Sequence, residues 1–92
     1  MLKEKTLDIL KEKAEMYNVK KLLLFGSCLH KDEEEASDID LAVEIDREDF
    51  LAFYTDILFD DDINKSIDLI DMSDDIGIVS VINEQGVVIY ES

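Results

Sequence analysis

The amino-acid sequence predicts a small α/β domain, of the two-layer α+β kind, with a mixed β-sheet flanked by helices. Three observations predict it. An opening segment carries apolar residues at helical spacing. A continuous apolar run and then a strict alternation follow it. A second helical stripe separates these from two further β-like segments. At 92 residues the chain is read as one domain, residues 1–92.

Leu7, Leu10, Ala14 and Tyr17 recur at helical spacing, and Asn18 is a stop for that helix. Leu22 to Phe25 is an unbroken apolar run closed by Gly26, the pattern of a strand buried on both faces. The stretch from Ser27 to Ser37 is polar and acidic, hence a loop or a short helix. Ile39, Leu41, Val43 and Ile45 then share one face of a strand, with Asp38, Asp40, Ala42 and Glu44 on the other. Asp46 is placed to cap a second helix, whose apolar stripe is Phe50, Phe53, Tyr54, Ile57 and Leu58. Ile67 to Met72 reads as a third strand. Ile76 to Asn83 suits a strand by its Ile and Val, while Ser73-Asp74-Asp75 suits a helix cap. Gly86 opens a last strand, Val87 to Tyr90.

The composition narrows the function classes. A 47% hydrophobic share supports a core and argues against disorder. No apolar run approaches the roughly 18 residues of a membrane span. No basic segment leads into an apolar one, which predicts no secretory signal. Cys28 stands alone, compatible with a reducing cytoplasm, where the protein is expected. The net charge of −15 disfavours nonspecific binding to a nucleic acid backbone. It fits solubility, a basic partner or metal ions. The lysines at 3, 5, 11, 13, 20 and 21 alternate with acids and read as a solvated helix face.

Three features carry chemistry. Gly26-Ser27 follows a buried strand, where glycine permits close ligand approach and a turn can aim N–H groups and a hydroxyl at phosphate. By itself such a pair is an ordinary turn. Asp38 and Asp40, two apart on a strand, place two carboxylates on one face. They repel unless a proton or cation intervenes, and hard oxygens suit magnesium. The alternative is a solvated sheet edge. Asp68 stands among Ile67, Leu69 and Ile70, and is either an exposed strand position or a third member of the acid group. If the third strand lies beside the second, three carboxylates would hold two metals of the kind that clamp a phosphoryl or nucleotidyl transfer.

The pattern Gly26-Ser27, ten residues, Asp38-Ile39-Asp40 resembles the signature of the nucleotidyltransferase superfamily related to DNA polymerase beta. LLLFGS and SDIDLAVEI look like its minimal nucleotidyltransferase branch, of the MntA-like antitoxin type. SIDLID is similar to that family's third-strand motif, and INEQGVVIYES to its final helix and strand. The resemblance implies transfer of a nucleoside monophosphate, AMP from ATP, to an acceptor hydroxyl. It implies that Gly26 and Ser27 hold the triphosphate, that Asp38 and Asp40 bind Mg2+, and that Asp68 completes the metal site and helps activate the acceptor. It also implies a HEPN-type helical toxin as partner, in a hetero-oligomer or a homo-oligomer.

This chain departs from the family after Ser27. Members commonly carry arginines and a glycine there. Here stand Cys28, Leu29, His30 and Lys31, then the acidic run Asp32 to Glu35. Only His30 and Lys31 offer charge to a triphosphate. Two readings follow: an active antitoxin enzyme, or a catalytically weak antitoxin that neutralises its partner by occlusion. A small acidic interaction protein without nucleotide is the third. Cys28 reads as a small buried residue, since no base is evident beside it.

Overall fold

The opening helical spacing folds as α1, Glu4–Met16, in a computed structural model that describes residues 1–73 and 84–92. Thr6, Leu10 and Ala14 form its buried edge at four-residue intervals. Asn18 ends it at φ 58°, the left-handed conformation that asparagine tolerates. The Val19 N–H donates to Ala14 O at 2.9 Å and the Asn18 N–H to Glu15 O at 3.3 Å, the paired bonds that close many helices.

The apolar run becomes β1, Lys21–Phe25, with Leu22, Leu23 and Leu24 all buried. The alternating segment becomes β2, Ile39–Glu44, antiparallel to β1. The chain then crosses through α2, Arg47–Leu58, and returns as β3, Ile67–Asp71, parallel to β2. A parallel return needs a crossover of this length, and the helix supplies it. The last strand, β4, Val87–Glu91, pairs antiparallel with β1 on its free side. The sheet therefore runs β3-β2-β1-β4, mixed in direction.

Both helices cover one face of the sheet. Leu10, Ala14, Phe53 and Ile57 join Leu22, Leu24, Ile39, Leu41 and Val43 in the main core. Leu23 and Ala42 point the other way and form a second buried cluster with Phe25, Ile70 and Met72 beside them. The two-layer α/β expectation holds. Among the described residues no helix is long and apolar enough to cross a membrane.

A polar clasp joins the helices. Lys13 Nζ lies 2.7 Å from Asp56 Oδ1 and 3.3 Å from Asp60 Oδ2, and the Tyr17 hydroxyl donates to Asp56 at 2.7 Å. Tyr17 also meets Phe53 edge-to-face, with ring centroids 6.0 Å apart. Lys13 is thus drawn out of the solvated face that the charge alternation suggests.

Three local expectations change. Asp46 does precede α2, but its side chain bonds no helix N–H. It sits 3.3 Å from Lys20 Nζ instead. Leu58 leaves the apolar stripe for solvent. The third strand stops one residue early, because the buried Asp71 carboxylate accepts bonds from the Ser73 N–H and hydroxyl at 3.0 and 2.8 Å. That turn uses the serine expected to cap a helix. The remaining alternatives for residues 74–83 lie outside the described residues.

Hydrogen bonds from Lys13 and then Tyr17 hold the Asp56 carboxyl below its ordinary range. A depressed folded-state value stabilises the fold above about pH 4, and the contribution is lost as pH falls through it. Asp56→Asn is therefore expected to cost about 0.5–1 kcal/mol at pH 7. In urea melts the difference from the parent should shrink as the pH is lowered below about 4.

Candidate functional site

The site begins where β1 runs out. Phe25 is the register partner of Asp40 across β1 and β2, so the next residue turns directly over that aspartate. Gly26 takes φ +76°, and a Cβ there would overlap the Asp40 carboxylate. Only glycine meets both demands. The chain then makes one short 3-10 turn, Gly26–Leu29, the short-helix option foreseen for this stretch. Ser27 O accepts from the His30 and Lys31 N–H groups at 3.0 and 2.9 Å. The Ser27 hydroxyl oxygen is buried and has no hydrogen-bond partner among the described residues. An unmet buried hydroxyl costs about 1–3 kcal/mol and asks for an explanation.

The loop from Lys31 to Asp38 is anchored at several points. Cys28, fully buried, sets its thiol 3.6 Å from Asp38 O, tying the glycine-serine turn to the first aspartate. Burial pushes that thiol above its ordinary range, which keeps it protonated and unreactive. Lys65 Nζ donates to Ala36 O at 2.7 Å and Glu34 O at 3.3 Å. Glu33 is the residue the acidic run concealed. Its buried carboxylate accepts from the Lys3 N–H at 3.2 Å and the Thr6 hydroxyl at 3.0 Å, and so caps α1 from a distant loop.

Asp40 and Asp68 face each other in the parallel register of β2 and β3. Asp38 stands two residues before Asp40, just outside β2, and accepts from the Ser37 hydroxyl at 3.3 Å. Asp38 and Asp40 are half-buried and Asp68 is exposed. Burial, then Asp38, then Asp68, push the Asp40 carboxyl above its ordinary range. The fold thus brings the five expected residues, Gly26, Ser27, Asp38, Asp40 and Asp68, to one end of adjacent strands. The three carboxylates do not converge as a ready cage: among the described residues no three acidic, histidine or cysteine side chains stand as a metal-holding set. The donors all have the chemistry a magnesium ion takes: hard carboxylate oxygens, electrostatically strained against each other, beside an unpartnered hydroxyl.

A cavity of about 510 Å3 opens beside the turn, lined by Gly26, Ser27, Leu29, His30 and Gln85. Gln85 was not legible as a site residue. It arrives because β4 pairs with β1 and sets Val87 opposite Leu24, a neighbourhood that no local pattern encodes. Lys31 does not line the cavity; its carbonyl accepts from the Met1 ammonium.

The model of the polymerase beta nucleotidyltransferase family matches residues 4–92. The chain belongs to that family. No curated protein matches this nucleotidyltransferase-family chain. Among solved structures it is similar to a chain of the MntA–HepT toxin–antitoxin, with a TM-score of 0.68 and 15% identity over 98% of this chain and 74% of the other. A toxin–antitoxin with AMP-PNP matches at TM-score 0.68 and 17% identity, over 98% and 75% of the two chains. A complex of tri-AMPylated Shewanella oneidensis HEPN toxin with its MNT antitoxin matches at 0.58 and 18%, over 94% and 73%. At these identities the likeness is one of fold.

Two outcomes test this arrangement of residues. Without divalent ions, Asp40→Asn should raise the melting temperature by ~2–6 °C, because it removes one of three crowded charges. An unchanged or lower value would mean that the charge is satisfied within the protein. Glu33→Ala should cost about 1–3 kcal/mol in urea unfolding, since it strands the Thr6 hydroxyl and uncaps α1.

Proposed function

We propose that this chain, a single domain over residues 1–92, is a magnesium-dependent nucleotidyltransferase. It moves AMP from ATP to a hydroxyl on a helical HEPN-type partner and so acts as an antitoxin. The observation that carries this reading is the contact of the Gly26-Ser27 turn with Asp40, at the same strand end where Asp40 and Asp68 stand in register. Family membership and the likeness to toxin–antitoxin structures, one bound to AMP-PNP and one with an AMPylated toxin, support the same reading.

The roles follow from position. Ser27, with its unpartnered hydroxyl, binds a phosphate oxygen of the triphosphate where Gly26 lets backbone approach. Asp38 and Asp40 would hold magnesium, which would supply charge neutralisation for the triphosphate and polarisation of the α-phosphate. Asp68, exposed on the neighbouring strand, completes the metal site and takes the proton from the acceptor hydroxyl. The acceptor oxygen bonds to the α-phosphorus as the bond to the bridging oxygen breaks, and pyrophosphate leaves. The partner brings its own hydroxyl to the strand ends.

One observation favours a second reading. No lysine or arginine lines the cavity beside Ser27; His30 is its only cationic candidate among the described residues. Weak nucleotide binding would leave an antitoxin that works by occlusion.

Incorporation of label from α-labelled ATP and Mg2+ into proteins of the host lysate distinguishes the two. A labelled band made by the parent and reduced at least ~100-fold with Asp40→Asn is the expected result. Equal labelling by both proteins would sink the enzymatic reading. Retained neutralisation of the partner by Asp38→Asn in cells would favour occlusion.

A further inference from the structure

Helix α2 is apolar on two sides, and only one of them is used by the core. Phe53 and Ile57 are buried, with Phe50 and Tyr54 packed against the same cluster. On the opposite side Leu51 is 71% exposed, Leu58 46% and Phe59, just past the last turn, 76%. Spacings of seven and eight residues put Leu58 and Phe59 on the same outward face as Leu51. Ala52 and Thr55, both exposed, lie between them and keep the face shallow. Scattered single apolar residues on a surface are ordinary, but three large ones aligned on one helix form a patch.

The surroundings of this patch are mostly acidic, with Arg47, one turn before Leu51, the exception. Glu48 and Asp49 stand in the first turn of α2, where they favour the helix dipole. The other end is different. The last turn carries no basic residue, and Asp60, Asp61 and Asp62 follow it. These acids crowd the negative end of the helix, an arrangement that costs the free helix stability. Lys13 offsets Asp60 from α1, and an exposed bridge of 3.3 Å from Lys5 reaches Asp62. Among the described residues Asp61 has no cationic partner.

We propose that the outward face of α2 docks a basic amphipathic helix of a partner protein. Its apolar side would cover Leu51, Leu58 and Phe59, and its Lys and Arg residues would reach the acids at both ends. Charge complementarity selects this occupant. A second copy of the chain would bring another net charge of −15, with its own Glu48 and Asp61, against the same patch. The proposal locates the partner surface of the function proposed above, yet its test does not depend on nucleotide transfer.

The test uses a designed amphipathic peptide of leucine and lysine, ~15–20 residues long so that it can form a helix on binding. A peptide with glutamate in place of every lysine serves as control. Binding is read by fluorescence anisotropy with the intact chain. The basic peptide should bind with micromolar affinity, and the acidic one at least ~10-fold more weakly. The double variant Leu51→Ser/Phe59→Ser should weaken binding by ~10-fold or more with an unchanged circular dichroism spectrum, since both side chains are exposed. Asp40→Asn should bind the peptide like the parent, so loss of transfer and loss of docking can be told apart. Equal affinity in the double variant, or equal binding of both peptides, overturns the proposal. So does a concentration-dependent dimer in sedimentation that Leu51→Ser/Phe59→Ser abolishes, which would make the occupant a second copy.

Discussion

The close approach of the Gly26 backbone to the Asp40 carboxylate is the constraint on which the rest of the structure turns. It forces the end of β1 to lie against the start of β2, because Phe25 and Asp40 are register partners. It requires a residue that accepts φ +76° and lacks a Cβ. Once the turn is held there, Ser27 falls beside the acids and Cys28 drops into the core, against the carbonyl of Asp38. A side chain at position 26 would displace Asp40 and Ser27 together, so turn and acids form one unit.

Around that unit the fold accumulates unfavourable charge and then restrains it. Asp40 is half-buried with two carboxylates near it, a placement that folding alone would not favour. The loop that delivers Asp38 carries four acids in succession, and such a segment tends to stay solvated. Lys65 binds its carbonyls, and Glu33 turns inward to cap α1. The same acidity that looks like a liability in the composition therefore supplies the bond that fixes the loop. A small domain has little stability to spare for a crowded acid group, so these distant bonds matter more here than in a larger protein.

The strands were legible because their signals are local. Leu22 to Phe25 and the alternation from Ile39 to Ile45 state both their structure and their buried faces; β1 and β2 form there, with Ile45 buried just past the end of β2 and Asp38 just before its start. Gly26, Ser27, Asp38 and Asp40 were legible as a site for the same reason: their spacing is short and falls at strand ends. Asp68 was legible only conditionally, since its meaning depended on whether β3 would lie next to β2. Pairing between strands that distant in sequence is decided by the crossover through α2, not by the residues of either strand. Glu33, Asp46 and Gln85 were misread or missed because each depends on a partner distant in the chain or in the sheet. Charge patterns count such residues without showing what they touch.

Helix α2 extends this logic to the surface. An apolar stripe in a sequence is naturally assigned to the core, and Phe53 and Ile57 obey. Leu58 does not, because a helix presents only about a third of its circumference to a sheet. With α1 fastened along one flank through Asp56 and Asp60, α2 has no freedom to roll its second apolar side inward. The clasp that stabilises the helix pair thereby fixes which hydrophobic residues remain outside. The surface left exposed is thus set by the contacts between α1 and α2, a set separate from the loop bonds of Cys28 and Lys65 that place the acids at the strand ends.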